Sequence, residues 1–338
     1  MRYLNTMYVA THRTKVNRSK SNLVVSGQEG KVRVPLESID SVVIVGGASM
    51  TLDAVGACVE RGIRVAVLKR SGALRWSAGP AVQGNVALRR LQHRTSDHDE
   101  FRLTTCRHLV AGKLQNSHRI LRRWARDQQG EVRKQVEVRA NHVRSRIERI
   151  PTADSENLVR GIEGDAARAH FAGVGAVLAE SGWRFVVRSR RPPRDPPNAL
   201  LSFAYGLLVT ETKGALESVG LDPQLGYLHR DRPGRPALAL DLVEEFRPVA
   251  DRFVVGALRQ RRFSLEDFEV TPGGGTYLND QGRSKFFKQW EAHKNSSLAH
   301  RVLDRDVERW ALPGVQATLL ARYIRGDIPV YPPFVVPG

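Results

Sequence analysis

Cysteine is nearly absent from this sequence: Cys58 and Cys106 are the only two in 338 residues, so no disulfide framework is implied. Each lies in a run with helical amphipathic spacing and is expected to be a small buried hydrophobe. No uninterrupted apolar stretch approaches the length of a membrane span. The opening MRYLNTMYVATHR has no long apolar core of a secretion signal. A cytoplasmic protein without a membrane anchor is therefore expected. The zinc-protease spacing H-E-x-x-H is missing, and no internal repeat of solenoid length occurs. Acidic residues are also in short supply: 53 Lys and Arg stand against 35 Asp and Glu, a formal net charge of +18, with a sequence pI of about 10.6. That excess points to a polyanion, nucleic acid ahead of an anionic membrane surface. Arginine far outnumbers lysine, which suits bidentate contact with phosphate, although a GC-rich genome produces the same bias.

With 41% hydrophobic residues the chain has enough apolar side chains for one large domain or two ordinary ones, and two are expected. From Arg2 to about Gly79 the pattern is strand-rich. NTMYVAT, NLVVS, KVRVPL and SVVIVGG are short β-branched or alternating runs bounded by turn residues. TLDAVGACVERG interrupts them as a helix with Leu52, Val55, Cys58 and Val59 on one face and Gly62 as its stop. IRVAVLKRSGALRW then returns as two strands across Ser71-Gly72. VGGAS, before that helix, lacks the Lys and remaining glycines of a phosphate loop and reads as a tight turn. SAGPAVQGN looks like a linker, because after Val86 the apolar period changes from about 2 to about 3.6. The expected class is α+β: a β-rich domain over 1–85 and a larger, mainly helical domain over 86–338.

The helical part carries two successive basic helices. In FRLTTCRHLVAGKLQNSHRILRRWARD, Leu103, Cys106, Val110, Leu114 and Leu121 mark a core stripe while Arg107, Lys113, Arg119, Arg122 and Arg123 cover the rest. GEVRKQVEVRANHVRSRIERI continues in the same manner, as a solvated face or a phosphate-contacting one. LALDLVEEFRPVADRFVVGALRQ reads as one further helix, and FEVTPGGGTYLND as a hairpin with a Gly-rich tip. VRSRRPPRDPP and RDRPGRP are loops in which proline stiffens the presentation of arginine.

Several groups carry chemistry. Glu163, in RGIEGDAARAHF, is expected at or near the first turn of a helix, flanked by Gly161 and Gly164. Such glycines suit close approach of another backbone or a ligand, whereas an acid in a first turn ordinarily complements the helix dipole. His229 lies just before an Arg-rich loop and a helix whose apolar stripe runs through Leu238, Ala239, Leu242, Val243, Phe246 and Ala250. At the edge of that stripe Asp241 and Glu244 are neighbours at i, i+3, and Glu245 stands at i+4 from Asp241. Like charges at these spacings repel by a few tenths of a kcal/mol. A metal ion, Arg247 or water must compensate them. Mixed N and O ligands from the imidazole and the carboxylates suit Mn²⁺ well and Mg²⁺ acceptably, with Zn²⁺ a further option. His93 and His98, among Asp97, Asp99 and Glu100, form a second metal-like cluster, but Ser96 or Asp97 also makes a natural helix N-cap there.

RGIEGDAA, RRPPRDPPNALLSFAYGLL, GLDPQLGYLHRDRPGRPALALDLVEEFRP and QATLLARYIRGDIPVYPPF, in this order, together resemble the CRISPR-associated integrases of spacer acquisition, the Cas one family. LNTMYV and GNVALRRLQ extend the likeness over nearly the whole chain, closest to the subtype I-C branch. ATHRTKVNRSKSN is the least typical stretch. The resemblance implies one divalent metal, Mg²⁺ or Mn²⁺, held by Glu163, His229 and Glu244, the last often an aspartate in the family, with Asp241 a further acid at the site and Tyr205 near it. It implies an endonuclease and integrase that joins a spacer 3′-OH to a CRISPR repeat. Arg190, Arg191, Arg230, Arg232, Arg235 and Arg247, close in sequence to these positions, are expected to meet the phosphates of double-stranded DNA. It further implies a homodimer formed through the N-terminal domain, with two dimers bracketing a dimer of the Cas two protein. The alternatives are a non-catalytic DNA-binding scaffold and a metal-dependent hydrolase acting on single-stranded or branched nucleic acid.

Overall fold

The alternating β-branched runs at the start of the chain form eight strands and one helix in the computed structural model, which describes residues 5–27, 30–80 and 85–337. The strands are β1 (Asn5–Val9), β2 (Lys15–Ser19), β3 (Asn22–Gly27), β4 (Gly30–Pro35), β5 (Ile39–Val45) and β6 (Ser49–Met50), followed by α1 (Leu52–Glu60), β7 (Arg64–Leu68) and β8 (Leu74–Ala78). They make two four-stranded sheets, in the orders β1-β5-β7-β8 and β4-β3-β2-β6. In the first, β1, β5 and β7 run parallel and β8 turns back antiparallel across Ser71-Gly72. Val9, Leu23, Leu36, Val42, Ala54, Cys58 and Val65 are among the residues of one buried core. The VGGAS stretch is a turn with Gly46 at φ +78, leading through β6 to Thr51, whose hydroxyl caps α1. Leu52, expected on the buried face of α1, is 88% exposed. Ala54, Ala57 and Cys58 are the residues that α1 buries.

The remaining elements are α2 (Val86–Ser96), α3 (Asp99–Arg126), α4 (Gly130–Ile147), α5 (Glu156–Ala179), α6 (Pro196–Ser218), α7 (Ala237–Val243), α8 (Arg247–Arg259), β9 (Phe268–Val270), β10 (Thr276–Leu278), α9 (Asp280–Lys294), β11 (Ser297–His300), β12 (Arg305–Glu308) and α10 (Leu312–Arg325). The order is the expected one for this α+β chain, strands first and then a mostly helical part. The Gly-rich hairpin forms as β9 and β10. By backbone proximity the chain divides into two discontinuous units. One takes Met1–Val82, Arg190–Thr210 and Phe263–Glu291; the other takes Gln83–Ser189, Glu211–Arg262 and Ala292–Gly338. The expectation near residue 85 was of one continuous cut, and of the linker expected around it Ala81–Gly84 lie outside the described residues. Among the described residues no helix is long and apolar enough to cross a membrane.

Within the first unit, α6 begins with Asp195 capping the backbone N–H of Asn198 at 2.8 Å, and two prolines occupy its first positions. Gly206 on this helix lies against the Gly72 carbonyl at the β7–β8 turn, where a side chain would overlap it. Gly72 itself has φ +80, a conformation that favours glycine.

Within the second unit, α3 packs against α4, α5 and α8. The helix expected over LALDLVEEFRPVADRFVVGALRQ is in fact two, α7 and α8, with a turn at Glu244–Phe246. Pro248 explains the break, because its ring would clash with the carbonyl of Glu244 four residues earlier and it has no N–H to donate there. The apolar stripe is nonetheless buried throughout, from Leu238 to Ala250. The end of the chain locks this turn in place. The wholly buried Glu245 carboxyl group meets the Tyr331 hydroxyl at 2.8 Å and accepts from Gln316 Nε2 at 3.1 Å and the Phe334 N–H at 2.7 Å. Asn116 on α3 donates to the carbonyls of Glu245 and Phe334 and accepts from the Val336 N–H.

Two predictions follow from these contacts. Gly206→Ala pushes a methyl group into the Gly72 carbonyl and is expected to destabilise by about 1–3 kcal/mol, the usual cost of overpacking, seen as a lower midpoint in thermal unfolding. Burial pushes the Glu245 carboxyl from 4.5 up to about 8, against the hydrogen bonds from Phe334, Tyr331 and Gln316 that act to lower it. The native state therefore keeps a proton that the unfolded chain releases above about pH 4.5. The contribution of this group to stability is full below that pH and is lost as pH rises to about 8. Glu245→Gln, a neutral mimic of the acid, is expected to flatten that decline, with a higher Tm than the parent at pH 8 and a similar one near pH 5.

Candidate active site

Asp241, on α7, is wholly buried, and its carboxylate is the anchor of the site. Its Oδ2 accepts the backbone N–H groups of Tyr227 at 2.6 Å and Leu228 at 3.0 Å. Its Oδ1 accepts that of His229 at 2.8 Å and lies 2.7 Å from the Nδ1 of the same residue. Gly226 permits this packing, since a side chain there would come within 2.8 Å of Asp241 Oδ2. The loop is also held from its other side. Gln92 on α2 bonds Asp222 and Leu225, Thr95 meets the Tyr227 hydroxyl at 2.9 Å, and Cys106 on α3 donates its S–H to the Tyr227 carbonyl at 3.2 Å. Cys106 is thus buried, as expected, but also takes part in a hydrogen bond; burial raises its thiol and pushes that of Cys58 up to about 11.

With Nδ1 turned to Asp241, the proton of a neutral His229 ring is placed on Nδ1 by its partner, leaving Nε2 as the free lone pair. That Nε2 lies 3.9 Å from Glu244 Oε1. Glu244, at the end of α7, is nearly buried, and its Oε1 also lies 3.0 Å from Arg247 Nε. Burial alone would raise the Glu244 carboxyl, but Arg247, Lys113 and His229 around it bring it down to about 2. Glu163 approaches from α5. It lies about two turns inside the helix rather than at its first turn, because α5 begins at Glu156 with Ser155 as its cap. Gly161 and Gly164 face open space: a Cβ at either would come within 4 Å of no atom apart from its chain neighbours and its own helix backbone. A neighbouring stretch of this chain therefore does not demand those glycines.

The Lys113 ammonium from α3 bonds both carboxylates, Oε1 of Glu163 and Oε2 of Glu244. Burial would lower its affinity for the proton, but Glu244 and Glu163 together raise it above the ordinary lysine value. The acids that the sequence left in need of compensation thus find three different partners. Asp241 has backbone N–H groups and His229, Glu244 has Lys113 and Arg247, and Glu245 is held by the end of the chain. The donor set nevertheless fits a divalent ion: two carboxylates already converge on one cation, and an imidazole nitrogen faces the second of them. Among the described residues, no three His, Cys, Asp or Glu side chains yet stand close enough together to hold an ion. The same holds for the cluster around His93 and His98, where His98 is itself the N-cap of α3, in place of the Ser96 or Asp97 expected there.

An open cavity of about 380 Å³ lies over these groups, lined by Arg160, Glu163, Leu228, His229, Arg230, Arg232, Arg235 and Glu244. Of the expected residues, the structure therefore brings together Glu163, His229, Asp241 and Glu244, with Arg230, Arg232 and Arg235 at the cavity and Arg247 paired to Glu244. Tyr205, Arg190 and Arg191 belong to the first unit. There Tyr205 is buried on α6, while Arg190 and Arg191 are exposed before it. Sequence reasoning missed Lys113 and Arg160. Lys113 repeats at helical spacing with Cys106, Val110 and Ser117 and so shares their inward face, a signal that its charge concealed. Arg160 stands one turn before Glu163 and donates to the Leu228 carbonyl at 2.8 Å.

Residues 7–292 match the family model described as CRISPR associated protein Cas1. A CRISPR-associated endonuclease Cas1 of Rhodospirillum rubrum is 38% identical, with 98% of each chain covered. One of Chlorobaculum tepidum is 36% identical, with 99% of each covered. Among solved structures, a Cas1 protein from Thermotoga maritima shares the fold at 22% identity, with a TM-score of 0.81 over 97% of this chain and 99% of that one. A family model over most of the chain and relatives matched along nearly all of it lead to one conclusion: the chain belongs to the Cas1 family.

Proposed function

We propose that this protein is a cytoplasmic, divalent-metal-dependent DNA endonuclease and integrase of CRISPR adaptation, of the subtype I-C kind, joining spacer 3′-OH ends to the repeat by phosphodiester transesterification. The observation that carries the reading is the convergence of the Glu163 and Glu244 carboxylates on one cation, beside an imidazole whose free nitrogen is fixed by Asp241. Glu163, His229 and Glu244 would hold Mg²⁺ or Mn²⁺. When bound, such an ion supplies charge stabilisation to a phosphoryl group under attack and favours the attacking hydroxyl. The chain's own groups do the rest. Asp241 keeps the His229 ring in one orientation, a carboxylate–histidine arrangement that raises ligand basicity. Arg230, Arg232 and Arg235 at the cavity, with Arg190 and Arg191, bind phosphates without reading bases. Arg247 limits the repulsion between Glu244 and an incoming backbone. Attack by a spacer 3′-OH forms one phosphodiester as the repeat strand's own 3′-oxygen leaves, and attack by water gives cleavage. The named activity of the R. rubrum and C. tepidum relatives supports the nuclease part. Homodimers bridged by Cas2, and Tyr205 as a substrate-positioning residue, come from the family resemblance.

One observation favours a second reading. Lys113 and Arg247 already compensate Glu244, as they would in a DNA-binding scaffold whose acids are only structural.

The deciding experiment mixes the purified protein with its cognate Cas2, a short duplex with free 3′-OH ends and a supercoiled repeat plasmid, in Mn²⁺, Mg²⁺ or EDTA. Covalent joining that needs metal and disappears in Glu163→Ala and His229→Ala is the expected result. DNA binding without strand chemistry under any metal would favour the scaffold, and joining that survives EDTA would refute the metal assignment. Asp241→Asn keeps the shape of the anchor but disturbs the imidazole, and a loss of about 10–100-fold in joining rate or metal affinity is expected, the usual effect of changing a ligand's supporting carboxylate.

A further inference from the structure

Lys113 touches both carboxylates assigned to metal, and its place in the fold is restrictive. The side chain is 12% exposed. It rises from the middle of α3, between the buried Val110 and Leu114. Its ammonium takes Glu163 Oε1 and Glu244 Oε2, while Arg247 and His229 Nε2 face the other oxygen, Glu244 Oε1. Two carboxylates brought this close in a half-buried site repel each other unless a cation lies between them. The ammonium fills the space between the two carboxylates that would hold a divalent ion.

We propose that Lys113 is a placeholder cation, which holds Glu163 and Glu244 together until a divalent ion displaces it and which thereby sets how tightly that ion binds. The inference rests on the metal reading above. Lys113 is a positioning residue in this scheme, acting through the two carboxylates. Because lysine and metal compete for the same oxygens, whatever draws the ammonium away strengthens metal binding by the same factor.

Two measurements on the full chain test this. In the parent protein, an amine-reactive reagent with mass-spectrometric mapping reads the accessibility of Lys113, while calorimetry on the same sample reads Mn²⁺ binding. Labelling of Lys113 is expected to rise several-fold at saturating Mn²⁺. In Lys113→Met, Mn²⁺ is expected to bind on the order of tenfold tighter, the scale on which one contacting charge shifts a site's affinity for a cation. The metal-free Tm of this variant should fall and recover when Mn²⁺ is added. Lys113 still protected at saturating Mn²⁺, or equal or weaker binding by Lys113→Met, overturns the placeholder while leaving the metal site standing. If Lys113→Met does not fold, labelling of the parent decides alone. No Mn²⁺ binding by the parent overturns the metal reading and the placeholder with it.

Discussion

The Asp241 carboxylate, buried in the second unit, takes three backbone N–H groups and the Nδ1 of His229, and the rest of the site depends on that cradle. The backbone donors of Tyr227 and Leu228 are buried, and an unpaired buried N–H costs about as much as a lost hydrogen bond. One side chain from α7 meets that need and aims the imidazole at the same time. The fold surrounds the cradle with further restraints: Gly226 leaves room for the carboxylate, while α2 and α3 hold the loop through Gln92, Thr95 and Cys106.

Three acids within five residues would be unstable if they shared one environment, and the structure separates them. Asp241 turns toward a loop, Glu244 toward Lys113 and Arg247, and Glu245 toward the end of the chain. Glu244 is drawn well below the ordinary carboxylate range by its cations, whereas its neighbour Glu245 is raised by burial. Glu244 has helical backbone angles, and at 3.6 residues per turn successive side chains point about 100° apart, so a one-residue difference is enough to place one acid at the cavity and the other in the core. Pro248 produces that turn, and the chain end locks it through Glu245 and Asn116.

The basic excess is divided in the same way. Arg230 and Arg232 stay exposed at the cavity, as an Arg- and Pro-rich loop would suggest. Arg160 and Arg247 are drawn into ion pairs with Glu156 and Glu244 and into a contact with a loop carbonyl. A charge count therefore describes the partner the surface suits better than it describes the role of any single arginine.

The strand-rich start, the helical remainder, the buried cysteines and the stripe from Leu238 to Ala250 were legible in the sequence, because apolar period and turn residues act locally. That Glu163, His229, Asp241 and Glu244 lie together was expected as well, from the crowded acids of the α7 segment and from a family resemblance. The break between α7 and α8 was visible in Pro248 but was outweighed by an apolar pattern that continues across it. The start of α5 differs from the expectation because Ser155, upstream of the glycines, supplies its cap. What the sequence by itself determined is the set of elements, the charge and the donor types at the site. Only the tertiary structure decided that Lys113, fifty residues from Glu163, lies between the two carboxylates. It also decided that Asp241 serves the backbone and the imidazole, and that the end of the chain fastens Glu245. Those pairings join residues far apart in the chain, and the packing of α3 against α5 and α8, which no local period records, is what brings them within reach.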